Sequence, residues 1–325
     1  MIYFITTGAH SYTIERHLQA WGRELVGRVQ PVSYQRLFSA TNFPRGIYLF
    51  TDIERLGKRI ASRAAEIYRR LRFEGSIVLN DPSKVCRRIE LLHTLHETGV
   101  NKFRCYRADD PLGEVRFPVF LRCANDHRGN RTGLITGQAE LQAAIAHQSR
   151  TQFLFRDEHG KFRVFRWGPS RRRELLITEF CDTSDTHGVF RKYSAFALAG
   201  RIVPRHLFFG TQWMLKGPDL IAEDYVAEEW KYVRGNPHAA ELRDIFSLAR
   251  IDYGRIDYGL HQGNIQVWEI NTNPMITHPA DARVAERVPV QEEFSHRLSI
   301  AFRELEHQLL ERRHAKHTPE RRHAA

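Results

Sequence analysis

Cysteine is scarce in this chain of 325 residues: Cys86, Cys105, Cys123 and Cys181 lie far apart, and none belongs to a CxxC pair. That spacing offers neither a zinc module nor a disulfide framework, and it fits a reducing, cytoplasmic location. No apolar run approaches the roughly 18 residues of a membrane span, so no membrane partner is expected. The opening MIYFITTGAH has neither a basic stretch nor a cleavable apolar core, and no signal peptide is expected. GxGxxG, GxxxxGK[ST] and GxSxG are all missing, which sets aside the dinucleotide fingerprint, the P-loop and the hydrolase elbow. Beyond a local doubling of RIDYG there is no internal repeat and no low-complexity segment.

What is present is ordinary in amount and uneven in sign. Hydrophobic residues make up 42% and charged residues 27%, as in globular proteins, and the length predicts two or three lobes. Lys and Arg number 49 against 38 Asp and Glu, a formal charge of +11. Such an excess suits nucleic acid, a membrane surface or a small polyanion such as a nucleotide. No RRM, helix-turn-helix or finger pattern supports nucleic acid, which is not the expected partner. The basic run ERRHAKHTPERRHAA reads as a solvated tail, and Arg171–Arg172–Arg173, with YRRLRF, could track nucleic acid.

Along the chain, Tyr3 to Thr6, Gly46 to Phe50 and Ser76 to Asp81 read as strands, separated by helical stretches. Strand, helix, strand, helix, strand is the pattern of a small open parallel sheet. A helix follows over Ser83 to Glu97. Val119 to Leu121 reads as a strand leading through Arg122 to a loop with Gly129 and Gly133. A helix is expected over Glu140 to His147, then strands in QFLFR, RVFRW, ELLITEF and KYSAFALAGRIV. Helices over Glu241 to Ala249 and Pro289 to Arg312 complete the pass.

The segment GRIDYGLHQGNIQVWEINTNP holds the most informative chemistry. It reads as a hairpin turning at His261 to Asn264. Arg255 and Asp257 share one face of its first strand, and Val267, Glu269 and Asn271 one face of its second. Those faces coincide if the turn has odd length, and three residues with Gly263 at positive φ are expected. Two carboxylates and an amide oxygen then converge as hard ligands for Mg²⁺, or Mn²⁺. Two carboxylates leave a divalent charge unbalanced, so a polyanionic ligand would complete the site.

The pattern R-x-D, turn, apolar-E-x-N-x-x-P resembles the metal-binding end of the ATP-grasp superfamily, of the glutathione synthetase-like, carboxylate–amine ligase type. NDPSKVCRRIELLHTLHETGV resembles its linker helix and FPVFLRCANDHRGNRTGLI its nucleotide-covering strand and glycine loop. LLITEFCD resembles the hinge beside adenine, and FRKYSAFALAGRIVPRH the strand pair with phosphate-facing cations. The likeness covers about Asn80 to Pro274. It implies an α/β fold: an open parallel unit (1–82), a central lobe (83–182), a C-terminal lobe with the metal site (183–313) and a basic tail (314–325).

The resemblance also implies roles. Asp257, Glu269 and Asn271 would hold two Mg²⁺, with Glu269 bridging. Arg122 stands where many members carry a phosphate-binding lysine, and a guanidinium forks well onto phosphate. Gly129 and Gly133 would admit backbone N–H groups to the phosphates. Backbone groups of Glu179, Phe180 and Cys181 would read adenine, and Asp182 or Asp185 would hold the ribose. Arg191, Arg205 and Arg255 would face the transferred phosphoryl group.

The implied activity is an ATP- and Mg²⁺-dependent, ADP-forming ligase that activates a substrate carboxylate for a small nucleophile, an amine or a thiol. Alternatives are a kinase on the same fold and a non-catalytic nucleotide- or nucleic-acid-binding protein. Tyr12, Arg16 and the TTGAHS turn lie at the end of the first strand, where open sheets bind ligands, and with Asn273 are candidates for substrate contacts. Such folds commonly form homodimers. His93 and His96 lie at i, i+3 without a third ligand and read as surface helix.

Overall fold

Four short strands rich in β-branched and aromatic residues begin the structure: β1 (Ile2–Thr6), β2 (Val29–Ser33), β3 (Ile47–Phe50) and β4 (Ile77–Leu79). They form a parallel sheet in the order β2-β1-β3-β4. Three of them are legible in the sequence pattern. β2 escapes it because Pro31 interrupts the strand, and as an edge strand it tolerates a residue without an N–H. Helices α1 (Tyr12–Gln19), α2 (Tyr34–Ser39) and α3 (Lys58–Phe73) make the connections. In α3 the buried residues Ala64, Ala65, Tyr68 and Leu71 recur at helical spacing and form its inner stripe. The computed structural model describes all residues except 112, 114, 126–128, 151–152, 157–161, 166–173, 277–283 and 316–325. The Arg171 run and most of the basic tail therefore lie outside the described residues.

Helix α4 (Arg88–Glu97) leads into a three-stranded antiparallel sheet of β5 (Cys105–Arg107), β6 (Val119–Cys123) and β9 (Leu175–Glu179), with β9 in the middle. α4 starts five residues later than the sequence pattern predicts, after turns over 82–84. Helix α5 (Gln138–Arg150) and a hairpin of β7 (Phe153–Arg156) and β8 (Phe162–Phe165) come between β6 and β9. The two histidines of α4 bond to backbone: the His93 ring lies 2.7 Å from the Cys105 carbonyl, and that of His96 3.1 Å from the Asn101 carbonyl.

The last sheet is antiparallel, ordered β11-β10-β12-β13, from β10 (Phe190–Leu198), β11 (Arg201–Gly210), β12 (Tyr253–His261) and β13 (Asn264–Asn271). Its two faces differ. Tyr193, Ala195, Ile256, Tyr258 and Val267 pack on α6 (Glu223–Gly235) and α7 (Ala239–Ala249). On the other face, Phe196, Leu198, Val203 and Tyr253 meet β1 and α8 (Val288–Ala315) through Phe4, Phe294 and Phe302. The rest of that second face carries Lys192, Ser194, Asp257 and Glu269, and it is here that the candidate site opens. The architecture is mixed α/β: an open parallel unit followed by two antiparallel lobes. Among the described residues no helix is long and apolar enough to cross a membrane.

Asn80 fastens the first unit to the last sheet. Its side-chain amide donates to the carbonyls of Phe50 (3.0 Å) and Tyr253 (2.8 Å), and its oxygen accepts from the N–H groups of Asp252 (2.7 Å) and Tyr253 (3.0 Å). It is fully buried, and its φ of 61° lies in the left-handed region that asparagine tolerates better than most residues. Asn80→Ala orphans these backbone groups and strains the backbone, and should destabilise the fold by about 4 kcal/mol. Asn80→Gly relieves the strain alone and should be about 1 kcal/mol less damaging. Urea unfolding of the three proteins checks both the loss and its order.

Candidate active site

The hairpin of β12 and β13 solves its parity differently from the sequence expectation. His261 pairs with Asn264, so the turn has two residues, Gln262 and Gly263, with φ of 52° and 79°. That even turn has positive φ at both positions, as a type I′ turn requires. The odd residue lies farther along: Asp257 pairs with Glu269 but Tyr258 with Val267, leaving Trp268 as a bulge. The bulge shifts the face by one residue and brings Asp257 opposite Glu269 and Arg255 opposite Asn271. Asp257, Glu269 and Asn271 share a face as expected, through a bulge instead of a three-residue turn, whereas Val267, expected beside them, falls on the opposite face in the core.

A cavity of about 360 Å³ lies between the central sheet and this face. One end is aromatic: Trp213 packs against Phe120 (4.9 Å between centroids) and, edge-on, against Phe180 (5.8 Å). The other end is charged, with Arg122, Lys192, Lys216, Arg255, Asp257 and Glu269. Buried carboxylates need compensation. Asp257 receives Ser194 Oγ (2.9 Å), Arg255 Nε (2.9 Å) and Lys192 Nζ (3.1 Å). Glu269 receives Arg88 (2.7 Å) and Arg122. Burial pushes the Asp257 carboxyl up, but Arg255 and Lys192 outweigh it and hold the group below the usual aspartate range.

Of the proposed metal ligands, Asp257 and Glu269 face each other in the cavity, whereas Asn271 is buried beneath it, its Oδ1 accepting from Asn273 N (2.8 Å). As donors the two carboxylates fit Mg²⁺, but cations already hold them. Among the described residues no three His, Cys, Asp or Glu converge on a common point.

The nucleotide candidates divide. Arg122, Gly129, Glu179, Phe180 and Cys181 line the cavity. Gly129 has φ of 92°, a conformation that favours glycine, and a Cβ there would lie 3.2 Å from Lys216 Cε. Gly133 has open space around it and does not line the cavity. Glu179 N donates to Arg104 O and Phe180 N to Pro118 O, so Cys181 N is the N–H of this segment without a partner among the described residues. Burial pushes the Cys181 thiol up to about 11. Neither Asp182 nor Asp185 lines the cavity; Thr183, between them, does. Asp182 Oδ1 accepts from Ser184 N and Oγ, and Asp185 from His187 N, Val189 N and Arg191, whose contact draws Asp185 down to about 2.

Among the proposed phosphoryl-facing arginines, Arg255 lines the cavity beside Asp257. Arg191 lines the cavity, but it is held between Glu228 (2.8 Å) and Asp185 (2.6 Å), which leaves it no charge to offer. Arg205 stands where β11 bulges against β10, beside His206 and outside the cavity. Asn273, proposed to meet substrate, is 3% exposed and spent: it donates to Thr6 Oγ1 (2.9 Å) and His10 O (3.2 Å) and accepts from Thr13 Oγ1 (2.6 Å). Tyr12 and Arg16 lie exposed on α1, with the guanidinium 5.3 Å from the ring, and neither lines the cavity.

Sequence reasoning missed Lys192, Lys216, Arg88 and Trp213. Lys192 had a signal: it shares parity with Ser194, whereas Arg191 shares parity with the core residues Tyr193 and Ala195. Arg88 and Lys216 come from a helix start and a loop, where no period marks a face.

No curated protein matches the chain in sequence. The neuromedin U family model matches residues 138–156 alone, too short a stretch to assign a family. In structure, the chain is similar to D-alanine–D-alanine ligase from Bacillus anthracis complexed with ATP (11% identity, 92% of this chain and 98% of that one, TM-score 0.48). It is also similar to a RimK domain ATP-grasp protein from Sphaerobacter thermophilus (13%, 91% and 98%, 0.47) and to L-amino acid ligase from Bacillus licheniformis (14%, 84% and 68%, 0.45). At TM-scores below 0.5 these are likenesses of overall shape, and the chemistry of the cavity rests on its own residues.

Glu179 shows which site residues are structural. Its carboxylate, 2% exposed, accepts from Arg104 N and Nε, Tyr106 Oη, and Arg116 N, Nε and a terminal nitrogen, at 2.8–3.1 Å. Burial alone would raise it; the Arg116 and Arg104 contacts bring it below the usual range. A depressed folded pKa stabilises above the unfolded value, about 4.3, and the benefit is lost as pH falls through the folded one. Glu179→Gln should therefore cost about 2 kcal/mol at pH 7, the partners being partly exposed, and less at pH 3. Urea unfolding at both pH values tests this; an equal loss at both would rule out an ionised, paired Glu179.

Proposed function

We propose that this chain is an ATP-grasp enzyme that binds ATP in the cavity and activates a substrate carboxylate as an acyl phosphate for capture by an amine or thiol. The observation that supports this most is the Asp257–Glu269 pair set among Arg122, Lys192 and Arg255 at one end of a cavity whose other end is aromatic. The base would lie against Phe120, Phe180 and Trp213, with Cys181 N–H as a donor at its edge. The triphosphate would run toward Gly129, Lys216, Arg122 and Lys192, and Thr183, which lines the cavity, would meet the ribose.

Phosphoryl transfer needs alignment and charge neutralisation more than covalent help. The substrate carboxylate oxygen attacks the γ-phosphorus, the bond from that phosphorus to the β–γ bridging oxygen breaks, and ADP leaves. The nucleophile then attacks the acyl carbon, loses a proton and expels inorganic phosphate. Arg255, anchored by Asp257, would hold charge that builds on the transferred group. Mg²⁺, held by Asp257 and Glu269, would supply Lewis-acid neutralisation of the phosphates.

Calorimetric titration of ATP with Mg²⁺, and ADP release from ATP and Mg²⁺ in an equimolar mixture of the common amino acids, test the reading. Wild type should bind ATP and release inorganic phosphate together with ADP. Glu269→Ala should lose the metal-dependent part of binding and at least about 100-fold in turnover. Phosphate retained on an organic product would make the chain a kinase, and absence of ATP binding would overturn the nucleotide reading.

A further inference from the structure

We infer that the charged end of the cavity is itself a polyphosphate-anion site that fills before any metal: the nucleotide binds without a divalent ion, and the ion enters after it. This rests on the ATP reading for the identity of the polyphosphate, but its physical basis is independent of the reaction. Two carboxylates, Asp257 and Glu269, are contacted by four cations: Lys192, Arg255, Arg88 and Arg122. Among the described residues these contacts set four cations against two carboxylates. Lys216, at the rim, adds another and has no ion pair among the described residues.

A second observation points the same way. Arg122 is 7% exposed and lines the cavity, yet its Nε–H is buried without an acceptor among the described residues. A buried donor left over beside a cavity is met by an incoming acceptor, and a phosphate oxygen forms the strong, charge-assisted kind of bond.

A divalent ion arriving alone faces the opposite situation. To reach oxygens of Asp257 and Glu269 it must displace ammonium and guanidinium groups, leaving those charges desolvated and unpaired in a site where Asp257 is 3% and Arg122 8% exposed by side chain. A polyphosphate offers the same cations new oxygen partners. As they turn to it, the carboxylate oxygens are released and become ligands. Nucleotide and ion thus raise each other's affinity reciprocally, with the nucleotide able to bind first.

The test uses the full chain and three probes: ATP, inorganic tripolyphosphate, and Mn²⁺ followed by its paramagnetic resonance. ATP in EDTA should bind within about tenfold of its affinity with Mg²⁺, and tripolyphosphate should also bind in EDTA. Mn²⁺ alone should bind about tenfold more weakly than with ADP present, the same factor by which the ion tightens the nucleotide. Glu269→Gln, which frees Arg88 and Arg122 for phosphate, should tighten metal-free ATP binding about tenfold, whereas at a site organised around the metal it would not.

ATP binding that appears only with a divalent ion, or Mn²⁺ binding equally well without nucleotide, overturns the inference and leaves the ATP reading standing. Tripolyphosphate binding in EDTA with no ATP binding under either condition keeps the anion site and removes the nucleotide. Failure of both anions removes both.

Discussion

Asp257 and Glu269 stand directly opposite each other on neighbouring strands, and like charges in that relation are stable only when something cancels them. The surrounding structure supplies the cancellation from two directions. Lys192 and Arg255 reach Asp257 from within the same sheet. Arg88, at the start of α4, and Arg122, on β6, reach Glu269 from the central lobe. One carboxylate is therefore neutralised locally and the other by a contact that bridges lobes. Arg88 also donates to the carbonyls of Cys123 and Ala124, so the end of β6 is fixed by the residue that holds Glu269. Arg122 both lines the cavity and forms part of that bridge.

The turn after β13 adds a second constraint. Thr272 donates to Glu54 and accepts from Ile53 N (3.1 Å), while Asn273 joins Thr6, His10 and Thr13. The C-terminal edge of the parallel sheet is where open α/β units bind ligands. Here part of that edge is filled by the chain's own asparagine. The same contacts hold the TTGAHS loop in a fixed relation to the carboxylate pair, so these polar residues position two lobes instead of touching a ligand. Buried polar side chains with complete hydrogen bonding give such contacts a defined geometry.

Fold and site were legible to different depths. The parallel unit and most antiparallel strands followed from period-2 and period-3.6 patterns, with losses where a proline or a short segment weakened the period, as at β2 and β5. The carboxylate pair was legible because Arg255 and Asp257 on one strand, and Glu269 and Asn271 on the next, repeat at strand spacing. Arg191 and Arg205 were poor choices for reasons the chain contains: Arg191 has core parity, and Arg205 occupies a bulge that parity cannot follow. Nothing local in the sequence distinguishes Asn273 as spent, because its partners lie about 260 positions away. The same holds for Arg88, which meets Glu269 across 181 positions.

The bulge at Trp268 shows how one residue can satisfy two demands. An even turn at Gln262–Gly263 matches the twist of the strands, but with regular pairing it would put Asp257 and Glu269 on opposite faces. One extra residue in β13 restores the match, and it must then find room. Gly259 provides it: a Cβ there would lie 2.5 Å from the indole of Trp268, so the ring occupies the space that a side chain on β12 would take. The indole also lines the cavity, and the Trp268 carbonyl accepts from Arg122 (3.3 Å). The residue that corrects the register thus forms part of the wall and helps orient the arginine on Glu269. A glycine on one strand and a tryptophan across the hairpin is a pattern present in the sequence, and here it marks where the pairing shifts.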